Sequence, residues 1–164
     1  SQIIYGDKYT TTVISYINSL KANSIVEIGC GLGDILLKVN VSEKTGLDQS
    51  QEVLNAASFI FKLKFKKAVF KKFDFINDSL QNKYDVILLV NWPHIIDEKM
   101  LKKKIETMFN DNLSNYGTII IDTFTDESYR YNHDINFLTR NITCDVTKIG
   151  EHINGTQHVW KISK

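Results

Sequence analysis

The sequence is poor in cysteine, proline and arginine, and it has no excess of charge of either sign. Its two cysteines, Cys30 and Cys144, are too few for a disulfide framework or a zinc cluster, and we expect no bound metal. Twenty basic and nineteen acidic residues leave a net charge of +1, whereas proteins that wrap nucleic acid usually carry a larger basic excess. No apolar run approaches the roughly 18 residues of a membrane span, and no secretory signal pattern opens the chain. These absences predict a reduced, cytoplasmic protein without a membrane partner.

The length and composition favour one ordinary domain. With 164 residues, 43% of them hydrophobic and 24% charged, the chain is long enough for one core and too short for two. Lysine outnumbers arginine by 18 to 2, a bias typical of AT-rich coding sequences, so lysine-rich stretches carry less meaning here than usual. We predict one domain over residues 1–164, with an N-terminal helical segment over 1–23 and a core over 24–164.

Apolar periodicity predicts strands that alternate with helices. This alternation implies a parallel sheet with right-handed crossovers, so the fold class is α/β. The dipeptide Asn154-Gly155 favours a tight hairpin turn, which adds an antiparallel pair at the end of the chain. Strands are predicted over 24–29, 44–48, 68–75, 84–90, 117–123, 142–153 and 157–162, helices over 9–20, 33–39, 50–63 and 97–109, and a mixed, partly helical pattern over 126–138.

A glycine-rich loop follows the first predicted strand and opens a helix. Glycines permit positive φ and let a ligand approach the backbone, and a helix N-terminus favours a negative group on that ligand. Asp48 ends the second predicted strand, 21 positions after Glu27, where a carboxylate can accept both hydroxyls of a ribose. The structural alternative is a loop that only makes a tight turn between strand and helix. The stretch reads Val26-Glu27-Ile28-Gly29-Cys30-Gly31-Leu32-Gly33.

The glycine spacing separates two families of nucleotide-binding folds. Counted from Gly29, the last glycine of the NAD fingerprint G-x-G-x-x-G falls on Asp34, so that fingerprint fails. The pattern found, G-x-G-x-G with an acid two residues before it, resembles the first motif of class I S-adenosylmethionine-dependent methyltransferases. The resemblance implies a Rossmann-like, seven-stranded and mostly parallel sheet, with helices on both faces and a C-terminal antiparallel hairpin. It also implies S-adenosylmethionine as the cofactor.

The same resemblance implies a set of cofactor-binding residues at successive strand ends. The glycine loop would hold the methionine part, the second strand end the ribose and the third the adenine, while the end of the fourth lies beside the departing methyl group. For Asp74 the alternative is a solvated strand end. The implied residues are Glu27, Gly29, Cys30, Gly31, Gly33, Asp48, Gln49, Asp74, Phe75 and Asn91.

The loop after the fourth strand is expected to face the methyl acceptor. Nucleic-acid and protein N-methyltransferases of this class often carry N-P-P-Y there, whereas this chain has Asn91, Trp92, Pro93 and His94. The loop resembles more closely the small-molecule branch, in which an Asn and a following His occupy the same loop. An imidazole near its normal pKa suits proton abstraction from a hydroxyl, so His94 is the predicted catalytic base, and Trp92 and His94 are predicted to contact the substrate. Packing of His94 on Trp92, capping of the helix at Asp97, and a Trp92 that merely covers the sheet edge are the alternatives.

Other candidates share this rim by topology. A guanidinium at Arg130 could bind a phosphate or carboxylate of the substrate, although such an arginine is more often a solvated helix residue. In the family that the chain resembles, the N-terminal segment often folds over the cofactor, which nominates Tyr5 and Tyr9 as substrate-binding residues. The rim candidates after the fifth strand are Asp122, Thr123 and Thr125.

A lysine-rich stretch over residues 61–73 raises the alternative of RNA. It interleaves six lysines with aromatic residues, but Lys66 and Lys67 enter the third strand at the edge opposite the predicted methyl donor, so a solvated face fits better. We therefore predict methyl transfer to an oxygen or nitrogen of a small polar metabolite, leaving S-adenosylhomocysteine. An RNA or protein methyltransferase and a non-catalytic cofactor-binding partner subunit remain the alternatives. The acceptor and the oligomeric state do not follow from the sequence.

Overall fold

Seven strands form one sheet in the order β3-β2-β1-β4-β5-β7-β6. The computed structural model describes residues 6–152 and 155–164. The first five strands pair in parallel, and β7 pairs antiparallel with both β5 and β6. The strands are β1 (Ser24–Ile28), β2 (Glu43–Asp48), β3 (Val69–Lys72), β4 (Tyr84–Leu89), β5 (Leu113–Phe124), β6 (Asp145–His152) and β7 (Gln157–Ser163). The helices are α1 (Gly6–Ser19), α2 (Asp34–Lys38), α3 (Gln51–Leu63), α4 (Glu98–Thr107) and α5 (Ile135–Thr139).

Helices cover both faces of the sheet, as predicted. Alternate residues of each strand enter opposite core clusters, because successive strand side chains point to opposite faces. One cluster contains Ile25 and Ile120 of the sheet and the buried side of α1, α2 and α3. The other contains Val26 and Ile121 and the buried side of α4 and α5. We call these the α1 face and the α4 face. The central strands β1 and β4 are buried on both faces, which explains their nearly continuous apolar sequence.

Several element bounds differ from those predicted by sequence periodicity, three of them for a clear local reason. The strand predicted over 68–75 covers only Val69–Lys72, because Asp74 begins a turn by accepting the backbone N–H of Ile76. The fifth strand begins at Leu113 rather than at residue 117, after a π-helical turn that extends α4 to Asn112. Helix occurs in 126–138 only from Ile135, where the Asp134 side chain caps α5.

The closing hairpin is present, with β6 and β7 paired in the predicted order. Gly155 has a φ of 82°, the left-handed conformation expected at such a turn, while Asn154 lies outside the described residues. Within the described part of the chain, no helix is long and apolar enough to cross a membrane.

Candidate functional site

The glycine loop lies at the carboxyl edge of the sheet, between β1 and α2. Gly29, Gly31 and Gly33 all have positive φ, which explains why glycine occupies these positions. The backbone N–H groups of Gly29 and Cys30 donate to the Leu47 carbonyl at 2.7 and 3.0 Å, which ties the loop to β2. A Cβ placed on Gly31 would meet no atom of residues 6–152 or 155–164 within 4 Å, so this part of the chain leaves the outer side of the loop open to a ligand.

Asp48 links the glycine loop to the start of α3. Its Oδ2 accepts the backbone N–H of Gly31 at 3.1 Å, and its Oδ1 accepts that of Ser50 at 3.0 Å. Each carboxylate oxygen has a further lone pair, so both retain the capacity to accept a hydroxyl. The side chain is half-buried and therefore reachable from the cavity beside it.

A cavity of about 220 Å³ opens beside Asp48, across the carboxyl ends of β1, β2 and β3. One wall is formed by Phe75, whose ring meets the Trp92 indole edge to face at 4.8 Å between centroids. Asp74 is exposed at the mouth, and hydrogen bonds from Asn77 and Ile76 lower the pKa of its carboxyl. An apolar slot with acids at its mouth suits a flat heterocycle joined to a hydroxylated sugar. The lining residues are Ile28, Gly29, Asp48, Gln49, Phe73, Asp74, Phe75, Ile76, Trp92, Ile95 and Ile96.

The loop after β4 packs directly against the glycine loop. The Trp92 indole Nε1 donates to the Ile28 carbonyl at 2.5 Å, and a Cβ on Gly29 would lie only 2.4 Å from that nitrogen. Asn91 has a φ of 75°, unusual for a residue with a side chain, and its backbone N–H donates to Asp122 Oδ2 at 2.9 Å. Trp92 thus both lines the cavity and fastens the loop after β4 to β1.

Buried acids lie on the α1 face at this edge. Glu27 and Asp122 are 5% and 1% exposed, and among the described residues each has one carboxylate oxygen without a hydrogen-bond partner. Burial raises the pKa of Glu27 to about 8, with a further increase from Asp34, and burial raises that of Asp122 to about 6. Gln157 Nε2 donates to Asp122 Oδ2 at 2.9 Å, while its own buried Oε1 lacks a partner. Unpartnered buried acceptors are costly, so this cluster is suited to a ligand that brings several N–H donors.

His94 lies in an aromatic cluster beyond the cavity wall. Its ring meets those of Phe124 and Tyr129 edge to face, at 5.2 and 4.7 Å between centroids. Burial lowers the pKa of His94, and the neighbouring His133 lowers it further. Because the helix cap at Asp97 is made by that residue's own carboxylate, His94 does not serve as the cap.

Of the remaining predicted residues, some lie near the buried acids Glu27 and Asp122 and others lie away from them. Tyr9 is half-buried in α1, where burial and the charges of Asp122 and Glu27 raise the pKa of its phenol. Tyr5 lies outside the described residues. The Cys30 thiol packs into the α1 face, where burial raises its pKa to about 12 and so disfavours the thiolate. Arg130 is exposed and lies over the Tyr131 ring at 5.4 Å, away from the cavity lining.

Sequence reasoning did not identify every residue that the fold brings to this edge. Ile95 and Ile96 line the cavity. In the sequence, an apolar pair that lines a cavity looks the same as one that packs in the core. Gln157 begins a strand 35 positions after Asp122, and no local pattern marks it. Asp122 was predicted as a rim residue after the fifth strand, but it lies buried within β5.

Comparison with known proteins agrees with this geometry. Residues 19–159 match the model of a family described as a methyltransferase domain. No sequence among the curated proteins matches the chain.

Solved structures of similar fold include several methyltransferases. The N-methyltransferase NodS from Bradyrhizobium japonicum, in complex with S-adenosylhomocysteine, superposes with a TM-score of 0.75 at 17% identity, covering 95% of this chain and 85% of that one. An S-adenosylmethionine-dependent methyltransferase from Clostridium acetobutylicum gives 0.74 at 14% identity, covering 94% and 90%. The methyltransferase domain of the bacterial protein CtHen1-C gives 0.70 at 18% identity, covering 94% and 96%. The family match over most of the chain, on a sheet with this strand order and glycine loop, shows that the chain belongs to the class I S-adenosylmethionine-dependent methyltransferases.

Proposed function

We propose that this methyltransferase transfers a methyl group to an oxygen or nitrogen of a small polar metabolite, with His94 as the base. The observation that carries the proposal is the aromatic enclosure of His94, whose ring lies 5.2 and 4.7 Å from those of Phe124 and Tyr129. Such apolar surroundings suit a small acceptor, whereas a polyanionic acceptor such as RNA needs basic side chains around its site.

The residues around the cavity fit the cofactor that the family uses. The Asp48 carboxylate accepts the ribose hydroxyls, and Phe75 with Ile96 forms the apolar slot for the adenine. Asp74 and Gln49 lie at the mouth, where they can accept from and donate to polar groups of the cofactor. The unpartnered Glu27 Oε2 supports binding of the cofactor's ammonium group in the buried cluster beside the glycine loop, because that oxygen has no other donor among the described residues.

S-adenosylmethionine supplies a methyl group on a positively charged sulfur, and its transfer forms one bond to the acceptor as the C–S bond breaks. The protein contributes mainly position, because such a displacement needs the reacting atoms in line. Asn91 and Trp92 fix the acceptor wall, since the first is held by Asp122 and the second by the Ile28 carbonyl. Tyr9 covers the same edge from α1.

His94 receives the proton that the acceptor releases. Its lowered pKa keeps the imidazole neutral at physiological pH, which is the form that can accept a proton. Its Nδ1 is buried, so Nε2 is the nitrogen that takes the proton. Phe124 and Tyr129 hold the ring in place and restrict access to small acceptors.

A labelling experiment tests the proposal. The chain is incubated with methyl-labelled S-adenosylmethionine and with cell extract divided into small-molecule, RNA and protein fractions. We expect label in a small molecule, and we expect His94→Ala to reduce turnover by about a hundredfold while S-adenosylhomocysteine affinity stays unchanged. His158→Ala, on β7 beside Glu151, is the matched control. Label that enters RNA or protein would refute the metabolite assignment, and full turnover in His94→Ala would refute the base.

A further inference from the structure

The basic charge of the chain is concentrated in one segment. Between Glu52 and Asp74 there are six lysines and no acidic residue, whereas the rest of the chain has fourteen basic and nineteen acidic residues. A chain with a net charge of +1 therefore consists of a segment of +6 and a remainder of −5. Such separation produces a local positive field that the net charge conceals.

Large apolar side chains are exposed within the same segment. Phe59 and Leu63, one helical turn apart on α3, are 62% and 63% exposed, while Phe61 between them is buried in the core. Phe65, which follows the helix, is 96% exposed. Lysines 62, 64, 66 and 67 are exposed around these three side chains. The carboxyl end of α3 and the following turn thus present an apolar tip ringed by cations, over residues 59–67.

The backbone at Phe65 makes this exposure unusual. Phe65 has a φ of 52° and occupies the position after the α3 C-cap, where glycine is the common residue. The turn closes with Lys66 N–H donating to the Phe61 carbonyl at 2.9 Å. A phenylalanine here accepts a strained conformation and gains almost no burial in return, so the folded chain alone does not explain it.

An anionic bilayer matches this tip better than RNA does. Membrane interfaces accept Phe and Leu at the acyl boundary and hold lysines against acidic head groups. Single-stranded RNA is bound on aromatic faces within a basic groove, but Leu63 offers no aromatic face, and a helix end is convex. We propose that residues 59–67 form a docking surface for an anionic phospholipid membrane.

The topology separates this surface from the catalytic edge. Helix α3 begins at Gln51, just after Asp48 at the carboxyl edge, and the chain that follows it enters β3 from the opposite edge of the sheet. A chain docked through residues 59–67 therefore keeps its cavity open to the aqueous side. The absence of a spanning helix from the described residues does not bear on this mode of binding, because only side chains of one surface enter the lipid.

Vesicle sedimentation tests the docking surface directly. The intact chain is mixed with vesicles of phosphatidylcholine alone, or of phosphatidylcholine and phosphatidylserine in equal parts. We expect binding to the anionic vesicles only, weakening as salt is raised. Phe65→Ser, and separately the pair Lys64→Gln with Lys66→Gln, should each weaken binding by about tenfold or more. Leu32→Ser and Lys99→Gln, exposed positions at the carboxyl edge, are matched controls and should bind as the wild type does.

A second substitution at Phe65 separates docking from folding. Phe65→Gly retains the left-handed turn and removes its strain, so it should raise the urea midpoint while still losing vesicle binding. Binding to neither vesicle, equal binding to both, or wild-type binding by Phe65→Ser would overturn the proposal. Retention of single-stranded RNA that these variants lose would assign the surface to RNA instead. A dimer that Phe65→Ser dissociates would assign it to a second copy of the chain.

Discussion

The buried carboxyl of Glu27 should make the protein less stable than a variant that lacks its charge. The folded state raises the pKa of Glu27 from 4.5 to about 8, chiefly through burial. A raised pKa means that the folded state binds the proton more tightly than the unfolded state does. The favourable contribution is therefore complete below pH 4.5 and is lost as the pH rises through 8.

The isosteric substitution Glu27→Gln removes this dependence. A shift from 4.5 to about 8 corresponds to an upper limit of about 5 kcal/mol, since each tenfold change in proton affinity is about 1.4 kcal/mol. Local relaxation and water entry reduce such penalties, so we expect the stability advantage of the variant over the wild type to grow by about 2 kcal/mol as the pH rises from about 5 to about 8. The glutamine oxygen can still accept the Leu36 backbone hydrogen bond.

Urea unfolding at a series of pH values measures this difference, with the exposed Glu43→Gln as control. The same variant should bind S-adenosylhomocysteine about ten- to a hundredfold more weakly, because the ligand's ammonium loses a charged partner. Methylthioadenosine, which has no ammonium, should bind both forms equally. A stability difference that does not change with pH, or equal loss of both ligands, would refute the reasoning.

Three further variants test the surrounding contacts. Asp122→Ala should lose about 2 kcal/mol of unfolding free energy in urea, because the Asn91 N–H and the Gln157 amide lose their acceptor. Asp122→Asn should be at least as stable as the wild type at neutral pH, because burial raises the pKa of this acid to about 6 and its ionisation is costly. Trp92→Phe should lose about 1 kcal/mol by leaving the Ile28 carbonyl without its donor, and an unchanged midpoint would contradict the importance of that bond. Ser50→Ala should cost about 1 kcal/mol of unfolding free energy, because the Ser50 hydroxyl caps α3 by accepting the Val53 N–H. Thermal unfolding measures this loss, and an unchanged melting temperature would mean that the cap is dispensable.

The carboxyl edge was predictable because its chemistry follows from local patterns. A strand that ends in Glu27-Ile28-Gly29 can only turn tightly there, and Asp48 ends the neighbouring parallel strand at the same edge. Parallel pairing then brings the two together, and in the structure Asp48 accepts the Gly31 N–H. The alternation of strands and helices predicts a mostly parallel sheet and Asn154-Gly155 predicts the terminal hairpin, and the sheet confirms both.

The contacts that depend on tertiary packing were not predictable. The Trp92 indole crosses to the Ile28 carbonyl over a sequence distance of 64 positions. The Asp122–Gln157 pair joins two strands whose antiparallel register is set by the whole sheet. Residues 126–134 form turns rather than helix, because Asp126 and Asp134 bind nearby backbone N–H groups with their own side chains.

A calorimetric titration of S-adenosylhomocysteine tests the central claim most directly. The wild type, Asp48→Ala and the exposed control Asp111→Ala are compared under the same conditions. Loss of the hydrogen bonds that Asp48 makes to the ribose should weaken binding by about ten- to a hundredfold, while the control binds as the wild type does. Equal affinity in Asp48→Ala and the wild type, or no binding by the wild type, would contradict a cofactor site at the carboxyl edge of this sheet.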